Sequence, residues 1–137
     1  MTLLFGVLVV AFSQQLGNSA TAVCAACHPR IVEAYRRSGM SHSLYKPAPA
    51  NTIEDYRNRH EFLHSLSGTY YSMIARDGTY LQRRWQIGFD GRETNVEELT
   101  IDMIIGSGSH ARAYLHRTVS GGYIELPLGW YAEKGGY

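Results

Sequence analysis

TYYSMIARDGTYLQRRWQIGF, residues 69–89, decides what kind of fold this chain forms. TYYSMIA (69–75) and YLQRRWQIGF (80–89) are rich in aromatic and β-branched residues, and Arg76-Asp77-Gly78-Thr79 stands between them. An Asp-Gly pair between two such runs is a hairpin corner, because tight β-turns need the positive φ that glycine accepts freely. In the second run Leu81, Trp85, Ile87 and Phe89 fall on one face, interrupted by Arg83, while Gln82, Arg84 and Gln86 fall on the other. That alternation predicts a half-buried strand. Toward the C-terminus, ARAYLHR (111–117), the corner Ser120-Gly121-Gly122 and YIELPLGWY (123–131) predict a second hairpin. NVEELTIDMII (95–105) fits a short helix or a strand equally, and no repeat or low-complexity tract interrupts the pattern. The expected class is α+β: a signal segment, a short helix, then mostly antiparallel β-hairpins.

Working back to the N-terminus, LLFGVLVVAF (3–12) is an unbroken apolar run, followed by QQLGNS and the small residues Ala20, Thr21 and Ala22. A run of about ten apolar residues is too short to span a bilayer and has the form of a secretory leader. Cleavage is expected after Ala22, with Ala20 a close second, although no Lys or Arg follows Met1 to make a basic n-region. The expected organisation is a signal peptide over 1–22 and one domain over 23–137, exported to the periplasm or the exterior with no membrane span after cleavage. About 115 residues suffice for a single modest core. The formal charge is +1, with 11 Arg and 2 Lys scattered among 12 acids, so there is no basic stripe of the kind a nucleic-acid binder needs. Ten Tyr and two Trp suit a flat cofactor, but they suit an ordinary β-core better.

CAACH, residues 24–28, contains both cysteines of the chain. Two cysteines two residues apart lie about one turn apart, so their sulfurs reach the two vinyl groups of one porphyrin, and the adjacent His28 meets the iron. Zinc would need a second ligand pair of matching spacing, which the chain lacks. A redox dithiol would open a helix after a strand, whereas this one follows a leader. A disulfide across two residues closes too short a loop to stabilise much, although a disulfide-containing interaction domain stays an alternative. The reading is haem c covalently attached at Cys24 and Cys27, with His28 as the proximal ligand. Pro29 fits the first turn of a helix that RIVEAYRRS continues, with Ile31, Val32 and Tyr35 on one side and Gly39 as its stop.

CAACHPRIVEAYRRSGMSHS (24–43), NTIEDYR (51–57), YLQRRWQIGFDG (80–91), GSGSHARAYLHR (106–117) and IELPLGWYAEKGGY (124–137) together resemble the N-terminal region of large multihaem c-type cytochromes, including those with tetratricopeptide repeats. In that family further C-x-x-C-H motifs follow the glycine-rich segment, so the resemblance implies a fragment whose partners are neighbouring haem domains or redox proteins. It also implies a distal ligand about twelve residues after the proximal histidine, in an aromatic-x-x-Ser-x-His setting; Met40 occupies that position, in Tyr35-Arg36-Arg37-Ser38-Gly39-Met40. Met is a good ligand that raises the potential relative to His. A helix over 29–38 would put Met40 roughly 15–18 Å along the chain from His28, so it would more easily serve another haem. His110, in the loop before the second hairpin, escapes this objection; His42, His64 and His116 stay open, with a surface strand position the default for His116. The implied activity is outer-sphere electron transfer, which is favoured over catalysis; a catalytic haem, its sixth position open to a small molecule, stays an alternative.

A rival motif is His60-Glu61-Phe62-Leu63-His64, an H-E-x-x-H pattern in which two histidines one turn apart hold zinc and the glutamate acts as base. Thr52 and Asp55 could cap a helix through NTIEDYRNRHEFLH (51–64). The extended form fails, since Ser67 stands where Gly belongs and Tyr70 where His belongs, leaving Glu93, Glu97 or Glu98 as substitute ligands. The alternative function is therefore a zinc-dependent hydrolase. Gly106-x-Gly108 lacks the continuation a nucleotide loop requires.

Overall fold

The computed structural model describes residues 19–56 and 61–136. Most of the expected leader, residues 1–18, lies outside them, and so does His60. The chain divides into two compact units, one up to Tyr35 and one from Arg36 onward. Among the described residues of the first unit are α1 (Ser19–Ala25) and most of α2 (Pro29–Arg36). The expected cleavage point after Ala22 falls within α1.

Among the described residues of the second unit every strand pairing is antiparallel, and short 3-10 turns cover Gly39–His42, Pro49–Asn51 and Ala132–Lys134. Its strands are β1 (Leu44–Tyr45), β2 (Phe62–His64), β3 (Thr69–Arg76), β4 (Thr79–Ile87), β5 (Glu93–Thr100), β6 (Met103–Ile105), β7 (Ala111–Arg117), β8 (Tyr123–Glu125) and β9 (Trp130–Tyr131). One sheet is the meander β2-β3-β4-β5; the other runs β1-β6-β7-β8, with β9 also pairing β7. The coarse expectation of a mostly antiparallel α+β chain holds. Among the described residues, no helix is long and apolar enough to cross a membrane.

The 69–89 hairpin forms as read, in register from Thr69 opposite Gln86 to Arg76 opposite Thr79. Asp77 at φ 51° and Gly78 at φ 75° make the corner, both in the left-handed region that matches the twist of the flanking strands. The ambiguous 95–105 segment is strand, broken at Ile101-Asp102, where the chain passes from the meander into the other sheet. Two backbone bonds fix the crossing, Ile101 N to Tyr80 O and Asp102 N to Leu115 O, both 2.8 Å.

Four expectations are corrected. Among the described residues of 51–64 there is no helix of the expected kind: a 3-10 turn covers Pro49–Asn51, and Phe62–His64 is β2, whose residues face Tyr71, Tyr70 and Thr69. Pairing to an existing strand outweighs local helix capping there. The second hairpin's return strand is not continuous, because Pro127 has no N–H to offer and the ladder lapses between β8 and β9. The first helix stops at Arg36 rather than running on to Gly39, since the Arg36 carbonyl accepts hydrogen bonds from Ser41 Oγ at 3.0 Å and His42 Nε2 at 2.9 Å.

The fourth correction concerns the face of β4. Trp85 is buried, stacked on Tyr70 at 5.5 Å with Arg83 over its ring, yet Ile87 and Phe89 are exposed. The main core lies against the other face, where Met73, Gln82 and Leu99 stand in register across β3, β4 and β5. It meets the row Tyr45, Ile104 and Tyr114 across β1, β6 and β7. Five tyrosines, Tyr45, Tyr56, Tyr71, Tyr80 and Tyr114, belong to or pack against this core, which is the use expected for most of the aromatic load. Gln82 is tolerated inside because its amide completes a ladder: Nε2 donates to Leu128 O at 3.1 Å and Leu128 N donates to Oε1 at 3.0 Å.

Candidate functional site: the cysteine–histidine turn

Cys24 lies in the last turn of α1, and the backbone N–H groups of Cys27 and His28 both donate to its carbonyl, at 3.3 and 2.9 Å. One helical turn therefore carries both cysteines and delivers His28 to the start of the next helix. Pro29 takes the first helical position of α2, where its missing N–H costs nothing. The His28 carbonyl caps α2 by accepting from the N–H groups of Ile31 and Val32, both at 3.1 Å. Both thiols are free and exposed, and the His28 side chain is exposed beside them.

The helix adds an apolar flank. Residues 28, 31, 32 and 35 share one face at helical spacing, and of these only Val32 is buried, while Ile31 is 67% and Tyr35 41% exposed. The donor set thus consists of two adjacent soft nucleophiles, an imidazole at the next position and an accessible apolar stripe on the same face. These residues fit a covalently attached haem: Cys24 and Cys27 to hold it by thioethers, His28 to ligate its iron, and Ile31 and Tyr35 to pack on it.

The distal candidates all belong to the second unit, Met40 and His42 within one 3-10 turn. Met40 sits in a 3-10 turn with its side chain 73% exposed. His42 is occupied through Nε2 by Arg36 O. His110 is exposed, in the loop before β7, with its carbonyl accepting from Ala132 N at 2.7 Å. His64 holds Nδ1 2.9 Å from Ser67 Oγ. His116 is no plain surface residue: it is half-buried, and its Nδ1 donates to Thr100 O at 3.0 Å and lies 3.3 Å from Asp102 Oδ2.

For the zinc motif, Glu61 and His64 lie at the start and end of an extended segment rather than on one helix face, with His60 outside the described residues. Its substitute ligands are engaged as ion-pair partners: Glu93 with Arg83 at 2.5 Å, Glu97 with Arg84 at 2.6 Å, Glu98 with Arg76 at 2.9 Å. The Arg76 hydrogen bond holds the Glu98 carboxyl below its ordinary range, and Glu93 holds the Arg83 guanidinium above its own. Among the described residues, no group of three or more His, Cys, Asp or Glu side chains could hold a metal ion.

A buried ionic cluster escaped the sequence reading. Arg112 Nη1 donates to both Glu54 carboxylate oxygens at 3.0 Å and to Asn51 O at 2.9 Å, and Tyr114 Oη donates to Glu54 Oε1 at 2.6 Å. The Arg112 and Glu54 side chains are 4% and 0% exposed. Arg112 and Tyr114 are two residues apart on β7 and so share the core face; an arginine in phase with a buried tyrosine was the available signal. The cluster pins the segment after Asn51 to β7.

No protein-family model, no curated protein and no solved structure matches this chain.

Proposed function

We propose that this protein is an exported c-type cytochrome domain that carries one covalently attached haem and transfers electrons. The observation that carries the reading is the Cys24–His28 turn: two free, exposed thiols one helical turn apart, with an exposed imidazole at the next position. In attachment, each thiol adds its S–H across one vinyl double bond, forming a thioether with no leaving group. His28 supplies the proximal nitrogen, and the α2 face of Ile31 and Tyr35 supplies apolar cover. When bound, haem supplies a one-electron iron couple. The chain's own residues set its potential through the axial ligand, burial and nearby charge. The apolar leader supports export, the compartment in which such attachment occurs, and the partners are redox proteins or neighbouring haem domains.

The test is the double substitution Cys24→Ser with Cys27→Ser, made in a host that matures c-type cytochromes. Acid–acetone should leave haem on the parent chain and strip it completely from the variant, with the exported amount of chain unchanged. Haem that survives extraction from the variant would overturn the reading.

A further inference from the structure

The buried cluster on β7 holds a phenol against a base. Tyr114 is fully buried, and its Oη donates to Glu54 Oε1 at 2.6 Å, within the short range of a hydroxyl bonded to an ionised oxygen. Both oxygens of Glu54 are held in place. Oε1 also accepts from Arg112 Nη1, while Oε2 accepts from Arg112 Nη1 and from Ile53 N, each at 3.0 Å. The carboxylate therefore stays aimed at the phenol, within the reach that proton transfer needs. Tyr45, at the same core, donates instead to the Gly106 carbonyl, an oxygen that does not take up a proton. Partly buried rings, Tyr56, Tyr71, Tyr80 and Trp130, pack against this core, and those of Tyr56 and Tyr80 meet edge-on at 4.9 Å. Aromatic side chains thus lead from Tyr114 to partly exposed positions.

We propose that Tyr114 is a one-electron redox site whose proton acceptor is Glu54, an activity separate from the haem reading and independent of it. A neutral phenol is hard to oxidise, because loss of the electron alone leaves a strongly acidic radical cation; moving the proton in the same step removes that penalty. The step balances within the cluster. An outer-sphere oxidant takes one electron from Tyr114, the Oη–H bond breaks, and the proton passes along the 2.6 Å hydrogen bond to Glu54 Oε1, leaving a neutral phenoxyl and a carboxylic acid. The oxidant, reduced by one electron, is of the class of metal-oxo centres and oxygen-centred radicals, and it reacts at the partly exposed rings. When an electron returns, the proton goes back. Arg112 limits the lifetime of the oxidised state. Its guanidinium then faces a neutral acid, so one buried charge is left uncompensated, eased only by the Asn51 carbonyl at 2.9 Å and the Tyr45 ring at 5.5 Å. That charge favours re-reduction, which makes Tyr114 a relay rather than a store of radicals.

The experiment uses the full chain with any haem held ferric, photogenerated tris(bipyridine)ruthenium(III) as oxidant, and electron paramagnetic resonance of samples frozen after the flash. A phenoxyl signal should appear near neutral pH and should form more slowly in deuterated buffer. Tyr114→Phe, which keeps the ring and the Glu54–Arg112 pair, should remove most of it. Glu54→Gln should slow its formation about a hundredfold, the factor a positioned base supplies, because an amide accepts the hydrogen bond but not the proton. If Glu54→Gln does not fold, the isotope effect and Tyr114→Phe decide the matter. A signal of undiminished size and unchanged hyperfine pattern in Tyr114→Phe assigns the radical to another tyrosine and overturns the proposal. So does a parent chain that yields no phenoxyl, or one whose rate is indifferent to deuterium.

Discussion

Glu54 shows how far a single side chain can govern this fold. Its carboxylate is fully buried against Arg112 and Tyr114, so Glu54→Ala strands a buried guanidinium and should cost about 3–5 kcal/mol. Urea unfolding would read the loss; a change below about 1 kcal/mol would mean the pair contributes no more than a surface ion pair does. Tyr45 gives a pH signature at the same scale. Burial pushes its hydroxyl up, the Arg112 charge opposes this and the Glu54 charge adds to it, while Oη donates to Gly106 O at 3.0 Å. A raised value means that the folded state favours the neutral phenol. The contribution is therefore complete below the ordinary value of 10.0 and is lost as pH rises through the folded one. Tyr45→Phe should be less stable near neutrality by about 1 kcal/mol, the hydrogen bond lost, and should show a flatter decline above pH 10. Equal alkaline slopes for the two proteins would contradict this assignment. Gly106 is placed for the same contact: at φ 106°, an added Cβ would collide with the Ala111 carbonyl.

At the scale of elements, what could be read from sequence was what neighbouring residues decide. Asp77-Gly78 announces its hairpin because the turn needs two positive φ angles in succession. Gly78→Val should cost about 1–2 kcal/mol through backbone strain alone, since no atom crowds the site; thermal unfolding would show it, and an unchanged midpoint would argue against the turn type. Pro29 likewise announces α2. The orientation of β4 was not legible in this way, because Leu128, 46 residues from Gln82 in sequence, supplies the partners that make a buried glutamine acceptable. β2 was obscured for a similar reason: Phe62–His64 has no strong preference of its own and takes its conformation from β3. The Glu54–Arg112 pair spans 58 residues, beyond any local pattern, and only the two-residue phase of Arg112 with Tyr114 hinted at it.

For the whole molecule, the local geometry of the cysteine–histidine turn was more legible than the β fold, because its five residues are contiguous and the helices on either side of it are local structures. The β unit is held by long-range pairing; the cysteine–histidine turn carries the chemistry we propose. The most direct measurement is the reduced-minus-oxidised pyridine haemochrome spectrum of the exported, denatured chain, with haem quantified against protein. The account predicts a c-type α-band, displaced from that of free haem by two saturated vinyl groups, at about one haem per chain. A chain with no covalently bound haem after expression alongside an active c-type maturation system, its thiols still free to titrate, would contradict it.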